Sequence, residues 1–141
     1  MERKVSSLKE TENLAKEFAT SLNAGDVVLL NGDLGAGKTT FTQFVFACLG
    51  VTENVLSPTF AILKTYHGKF VLHHFDVYRI TTEEAIEAGF DEILDEPQSI
   101  KFIEWSVNIA PLLPKKVKLV NIKYVDENTR IFDIDYEHIN Y

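Results

Sequence analysis

Three glycines, a lysine and two threonines crowd into nine residues, Gly32-Asp33-Leu34-Gly35-Ala36-Gly37-Lys38-Thr39-Thr40. An apolar run, Val27 to Leu30, leads in, and an amphipathic segment follows at once. This is the strand, loop and helix order in which G-x-x-x-x-G-K-T cradles phosphate. Gly32, Gly35 and Gly37 are expected to take positive φ and to let the backbone approach an anion with no Cβ in the way. The N–H groups of the loop, Ala36 included, and of the helix start would aim partial positive charge at phosphate oxygens. Lys38 adds a mobile charge for the β- and γ-phosphates. Thr39 adds a hydroxyl for Mg²⁺, with Thr40 beside it in the same binding stretch. The competing reading is a glycine-rich turn that carries a lysine by chance, and the flanking strand and helix signals argue against it. The pattern predicts a nucleotide site with Mg²⁺.

Such a site needs an acid, usually at the end of a neighbouring strand, to hold Mg²⁺ directly or through water. Two are available: Asp76 after the run ending at Phe75, and Glu104 after Ile100, Phe102 and Ile103. Ligands of open α/β sheets lie beyond the carboxyl ends of the strands, so both are placed for the role. Either one alone also reads as a solvated boundary residue, and spacing does not rank them. His73 and His74 have no Cys or further His at ligand spacing and read as structural. Tyr78 and Trp105 suit adenine stacking, a partner-facing patch or boundary packing.

The elements that must position these groups follow from periodicity. Ser7 to Glu10 reads as a capping box, and Leu14, Ala15, Phe18, Ala19 and Leu22 form one helical stripe ending near Gly25. The start of that helix could lie near the nucleotide. Val27 to Leu30 is the continuous apolar run of a strand covered on both faces. The next helix, Lys38 to Leu49, shows Phe41, Phe44, Val45 and Cys48 at i, i+3, i+4 and i+7, and Gly50 stops it. Cys48, the single cysteine, therefore reads as a buried inert thiol. Ser57-Pro58-Thr59-Phe60 is a strand entry or tight loop. Residues 61–66 and 70–75 form a hairpin about His67-Gly68-Lys69. Thr81 to Glu84 starts a polar helix that Gly89 closes, and Asp91 to Glu96 looks turn-like. Ser99 to Trp105 is a second buried strand, which Lys101 interrupts. Pro111 and Pro114 bound a loop. Val117 to Val125 and Thr129 to Tyr136 make a closing hairpin. The expected fold is α/β, a three-layer sandwich of the P-loop NTPase kind. Its central sheet is mixed and mostly parallel, with antiparallel hairpins.

At 141 residues the chain is expected to form a single domain, residues 1–141. No run reaches the roughly 18 apolar residues of a membrane span. The polar start Met1-Glu2-Arg3-Lys4 does not resemble a signal peptide. With one cysteine and a nucleotide site, the expected location is the cytoplasm, with no membrane partner. The net charge of −7 argues against direct capture of a nucleic acid, which needs a basic stripe. Any contact with RNA would be made through a partner.

Taken together, Gly32 to Thr40, Ser57-Pro58-Thr59-Phe60, His74-Phe75-Asp76-Val77-Tyr78-Arg79 and Glu104-Trp105 resemble the four signatures of the TsaE (YjeE) family. The match runs in order over nearly the whole chain. The resemblance implies a small bacterial ATPase needed to make threonylcarbamoyladenosine at position 37 of tRNAs reading ANN codons. It implies a TsaD–TsaB-like heterodimer as partner, tRNA being met only through that partner, and hydrolysis that resets the complex between cycles. Carried onto this chain, Thr39 and Glu104 would be the Mg²⁺ ligands and Lys38 the phosphate lysine. Asp76 would lie near the γ-phosphate or metal-bound water, and Thr59 in a switch-like loop sensing that phosphate. Arg130 would be the basic residue of the last hairpin that approaches ATP. Two other readings compete. A small-metabolite P-loop kinase would need arginines over the transferring group, and this chain has only Arg3, Arg79 and Arg130. An ATP-sensing binding module with negligible turnover fits the switch-like segments equally well.

Overall fold

The computed structural model describes residues 1–33, 35–56 and 62–140. In chain order the elements are β1 (Glu2–Val5), α1 (Leu8–Thr20), β2 (Val27–Gly32), α2 (Lys38–Cys48), β3 (Leu63–His67) and β4 (Val71–Asp76). They continue with α3 (Thr82–Glu87), α4 (Phe90–Leu94), β5 (Ile100–Glu104), a 3₁₀ segment (Ser106–Leu112), β6 (Lys116–Asp126) and β7 (Thr129–Ile139). The strands form one sheet in the order β1-β7-β6-β2-β5-β4-β3. The pairings β6–β2, β2–β5 and β5–β4 are parallel, and those outside them are antiparallel. Helices α1 and α2 cover one face, while α3, α4 and the 3₁₀ segment cover part of the other. This is the α/β three-layer arrangement expected from the sequence.

Burial explains the central strands. Val27, Val28, Leu29 and Leu30 are enclosed because both faces of β2 are covered. In α1, Ser7 accepts from the Glu10 backbone N–H, and Leu14, Ala15, Phe18 and Ala19 are buried as the stripe requires. Glu10 reaches back to the N–H of Ser6, one residue earlier than in a standard box.

Several expectations need correction. The buried face of α2 is Phe41, Thr42, Val45 and Phe46, and Cys48 is exposed. The helix packs beside α1 on the same face of the sheet, with the Phe46 ring 5.1 Å from that of Phe102. Its stripe therefore turns toward Phe46 and carries Cys48 into water. The segment read as turn-like holds α4, because Phe90 and Leu94 bury themselves while Asp91 and Glu92 face outward. The 3₁₀ segment runs into the proline-bounded loop and takes in Pro111. The polar start forms β1, an edge strand held by pairing with β7. Lys101 does not disturb the register of β5, which pairs Lys101 with Val27 on one side and His73 on the other. Ser57 to Phe60, Thr59 included, lie outside the described residues. Among the described residues no helix is long and apolar enough to cross a membrane.

Candidate functional site

Strand β2 ends at Gly32, and α2 begins six residues later. The loop between them turns through two glycines in left-handed conformation, Gly35 at φ 83° and Gly37 at φ 104°. Gly32 is a different case. It does not take the positive φ expected of it; instead a Cβ there would sit 2.8 Å from the Ile122 carbonyl oxygen. Its role is close approach of β2 to β6. Ala36 is buried and donates its N–H to the Asp33 carbonyl at 2.9 Å.

The starts of α1, α2 and α3 are built differently. Ser7 caps α1 and Thr81 caps α3, each with acidic residues in the first turn. The start of α2 has Gly37 as its N-cap, no side-chain cap and no acid in its first turn. Its N–H groups and positive dipole end are thus left for an external anion. Lys38, Thr39 and Thr40 occupy that first turn, all partly buried.

Glu104 comes to the same place from the end of β5. Its Oε1 lies 3.5 Å from Lys38 Nζ, and its Oε2 takes a 2.8 Å hydrogen bond with His74 Nε2. Burial alone would raise the carboxyl pKa. The His74 hydrogen bond and the Lys38 charge outweigh burial and hold Glu104 below the usual carboxylate value. Asp76 is the register partner of Glu104 on β4. It is half-buried, and its Oδ1 accepts from the Tyr78 N–H at 3.2 Å, which fixes the turn after the strand.

Trp105 follows Glu104 at φ 63°, a left-handed conformation uncommon for a bulky residue. That turn brings its indole within 5.2 Å of Lys38 Nζ and 4.7 Å, centroid to centroid, from the Tyr78 ring. Both rings remain substantially exposed. On the other side of the loop, Arg130 Nε donates to the Ala36 carbonyl at 3.0 Å and Nη2 to that of Gly35 at 3.4 Å. The Tyr124 ring lies under the guanidinium at 4.5 Å. A cavity of about 110 Å³ opens beside it, lined by Ser7, Thr11, Gly37, Thr40, Asn128 and Arg130.

The structure therefore brings together Gly35, Ala36, Gly37, Lys38, Thr39, Thr40, Glu104 and Arg130, with Asp76 one strand out. Thr59 is not among the described residues. His74, read from the sequence as structural, is a contact of the central acid. The available signal was its spacing of two from Asp76 on a strand, which sets both on one face. Among the described residues no group of three or more His, Cys, Asp or Glu side chains is arranged to hold a metal. A divalent cation here would have to be shared with phosphate oxygens and water, which is the habit of Mg²⁺. The Glu104 carboxylate and the Thr39 hydroxyl fit such a shared ion, and the uncapped helix start fits the phosphate.

Comparison with known proteins agrees over nearly the whole chain. The family model described as "Threonylcarbamoyl adenosine biosynthesis protein TsaE" matches residues 5–132. A Rickettsia prowazekii protein named tRNA threonylcarbamoyladenosine biosynthesis protein TsaE is 44% identical over 137 residues, covering 95% of this chain and 94% of the relative. The Bacillus subtilis protein of the same name is 42% identical over 123 residues, covering 86% and 77%. The crystal structure of Bacillus subtilis YdiB superposes with a TM-score of 0.79 at 35% identity, covering 94% of this chain and 82% of that one.

Proposed function

The chain belongs to the TsaE family of tRNA threonylcarbamoyladenosine biosynthesis proteins, and from that membership we propose that it is the ATP-binding and ATP-hydrolysing subunit of the system. The observation that carries the proposal is the meeting of Lys38 and Glu104 at an uncapped helix start. An anion needs the helix end and the lysine, and a divalent cation needs the acid. ATP with Mg²⁺ supplies both at once.

In this reading the phosphates lie along Gly35 to Thr40, with Thr39 and Glu104 toward Mg²⁺. The base end of the nucleotide points to the cavity beside Arg130, and Arg130 holds the loop carbonyls in place. Asp76 orients water near the γ-phosphate, and Thr59 acts as the switch that reads it. When bound, Mg²⁺ neutralises charge that develops on the transferring phosphoryl group.

Turnover by the chain alone is slow. Arg3 is paired with Glu17 at 2.6 Å, Arg130 is spent on the loop, and Arg79 is exposed. Arg3 and Arg130 are thus already engaged, and a group supplied in trans is worth about 10³–10⁵ in rate. A TsaD–TsaB-like heterodimer is the partner that would supply it, and tRNA is reached through that partner. The test is reconstitution: ATPase rate and multiple-turnover modification of tRNA, with and without the cognate heterodimer. Stimulation of both is expected. If neither rises, the proposal fails, and an acceptor screen then decides for a kinase.

A further inference from the structure

We infer that His74 is a positioning residue for Glu104: as the neutral Nε2–H tautomer it fixes one carboxylate oxygen and so commits the other to the cation side of the site. The first half of the inference stands on geometry alone. The second half rests on the Mg²⁺-nucleotide reading given above.

His74 is fully buried on β4, on the same face as Leu72 and Asp76. Its ring meets that of Phe46 edge-on, 6.1 Å between centroids, and Phe102 stands opposite it in the sheet register. The polar contact of the ring is made through Nε2, 2.8 Å from Glu104 Oε2. Among the described residues Nδ1 is buried with no partner. That asymmetry assigns the proton. A carboxylate oxygen accepts, so Nε2 must donate. An N–H on Nδ1 would be a buried donor with nothing to bond, whereas a bare lone pair there is the lesser penalty. The neutral ring with its hydrogen on Nε2 satisfies both conditions.

The neighbouring His73 shows what a plain structural histidine looks like here. Both its nitrogens are engaged, with Thr65 at 2.9 Å and Glu96 at 2.9 Å. His74 holds one group only, and that group is the acid facing Lys38. With Oε2 fixed, the carboxylate cannot swing, and Oε1 stays 3.5 Å from Lys38 Nζ. Partners of this kind behind a metal-binding carboxylate set the orientation of the ligand.

Two measurements test this. Nitrogen-15 NMR of the imidazole in the nucleotide-free protein should show Nε2 protonated and Nδ1 bare, with the signal identified by its loss in His74→Gln. A proton on Nδ1 would overturn the inference. The second measurement titrates Mg²⁺ into the complex with a fluorescent ATP analogue, alongside affinity for the same analogue in EDTA. His74→Leu should weaken Mg²⁺ affinity by about 10–100-fold and leave the EDTA affinity unchanged. His74→Gln, whose amide nitrogen reaches the depth of Nε2, should restore most of it. Where His74→Leu fails to fold, His74→Asn, whose amide stops short of Glu104, replaces it. Equal Mg²⁺ affinity in all variants, or equal loss in Leu and Gln, rejects the positioning role. If even the unaltered protein binds no nucleotide, the functional proposal fails while the NMR result still decides the His74–Glu104 bond.

Discussion

Strand β5 buries a charge at each end, Lys101 near its start and Glu104 at its finish, and the two are satisfied by different kinds of partner. Lys101 Nζ donates to the backbone carbonyls of Glu96 and Ser99. Glu104 is met by side chains, His74 and Lys38. Backbone carbonyls belong to the fold and cannot leave without local unfolding. Side chains can trade one partner for another while the sheet stays put. The fixed end closes the start of the strand, and the exchangeable end is where an incoming ion or phosphate can insert. Cavity size points the other way: about 650 Å³ opens near the Lys101 end, lined in part by Asp26, Glu96, Pro97 and Lys118. Among the described residues no uncapped helix start or buried carboxylate lines that larger space, so convergence of chemistry, and not volume, marks the site.

The contrast is broken most sharply by removing the exchangeable acid. Glu104→Ala should lower partner-stimulated ATPase turnover by about 10²–10³-fold, measured by phosphate release, through loss of the group that holds the cation. ATP affinity measured in EDTA should change little. If the Mg²⁺ requirement shifted instead in Asp76→Ala and not in Glu104→Ala, the metal roles of the two acids would be reversed. Lys38→Ala should weaken ATP binding by about 10–150-fold in calorimetry, the equivalent of one charge-assisted contact of about 1.5–3 kcal/mol. Wild-type affinity in that variant would remove the phosphate role of the loop.

The fixed end should answer in stability and not in activity. Lys101→Ala leaves two carbonyls without their donor and a void in the enclosed start of β5. Urea unfolding should show a loss of about 2–4 kcal/mol. Lys101→Met also removes the donor, but it fills the volume without a charge to desolvate and should lose less than Lys101→Ala. ATPase turnover should be retained in Lys101→Met. A large loss of turnover there would mean that the two ends of β5 are coupled, and the distinction between them would not hold.

Much of this was legible in the sequence because it depends on local pattern. The run Val27 to Leu30, the glycine loop and the acids at 76 and 104 are set by burial and spacing within short windows. What was not legible depends on partners far along the chain. Glu2 to Val5 is a strand only because β7 offers an edge. Cys48 is exposed because Phe46 is drawn against Phe102, which rotates α2 away from the simplest stripe. Gly32 is needed for the approach of Ile122, ninety residues later, and the Glu104 contact of His74 spans thirty. Lys101 looked like an interruption because a carbonyl cage leaves no signature in side-chain identity.

The smallest effect expected is in the pH dependence of stability, where the two ends should act on opposite flanks. Glu104 has its carboxyl pKa lowered in the fold from an ordinary value of 4.5. Its stabilising contribution is therefore complete above 4.5 and is lost as pH falls through the lowered value. Lys101 has its pKa lowered from an ordinary value of 10.5, burial being the main cause, against the raising influence of Glu96, Asp95 and Asp26. Below its folded value both states hold the proton and the cost of burying the charge is present in full. As pH rises from there toward 10.5, the unfolded chain holds more protons than the folded one, and this group's contribution to stability increases. A single group can tilt the curve by at most about 1.4 kcal/mol per pH unit. Urea midpoints measured across pH should accordingly lose part of their acid fall in Glu104→Gln and part of their alkaline rise in Lys101→Met, each variant leaving the other flank unchanged. Flattening of both flanks by either substitution would show that the two charges titrate as one network along β5.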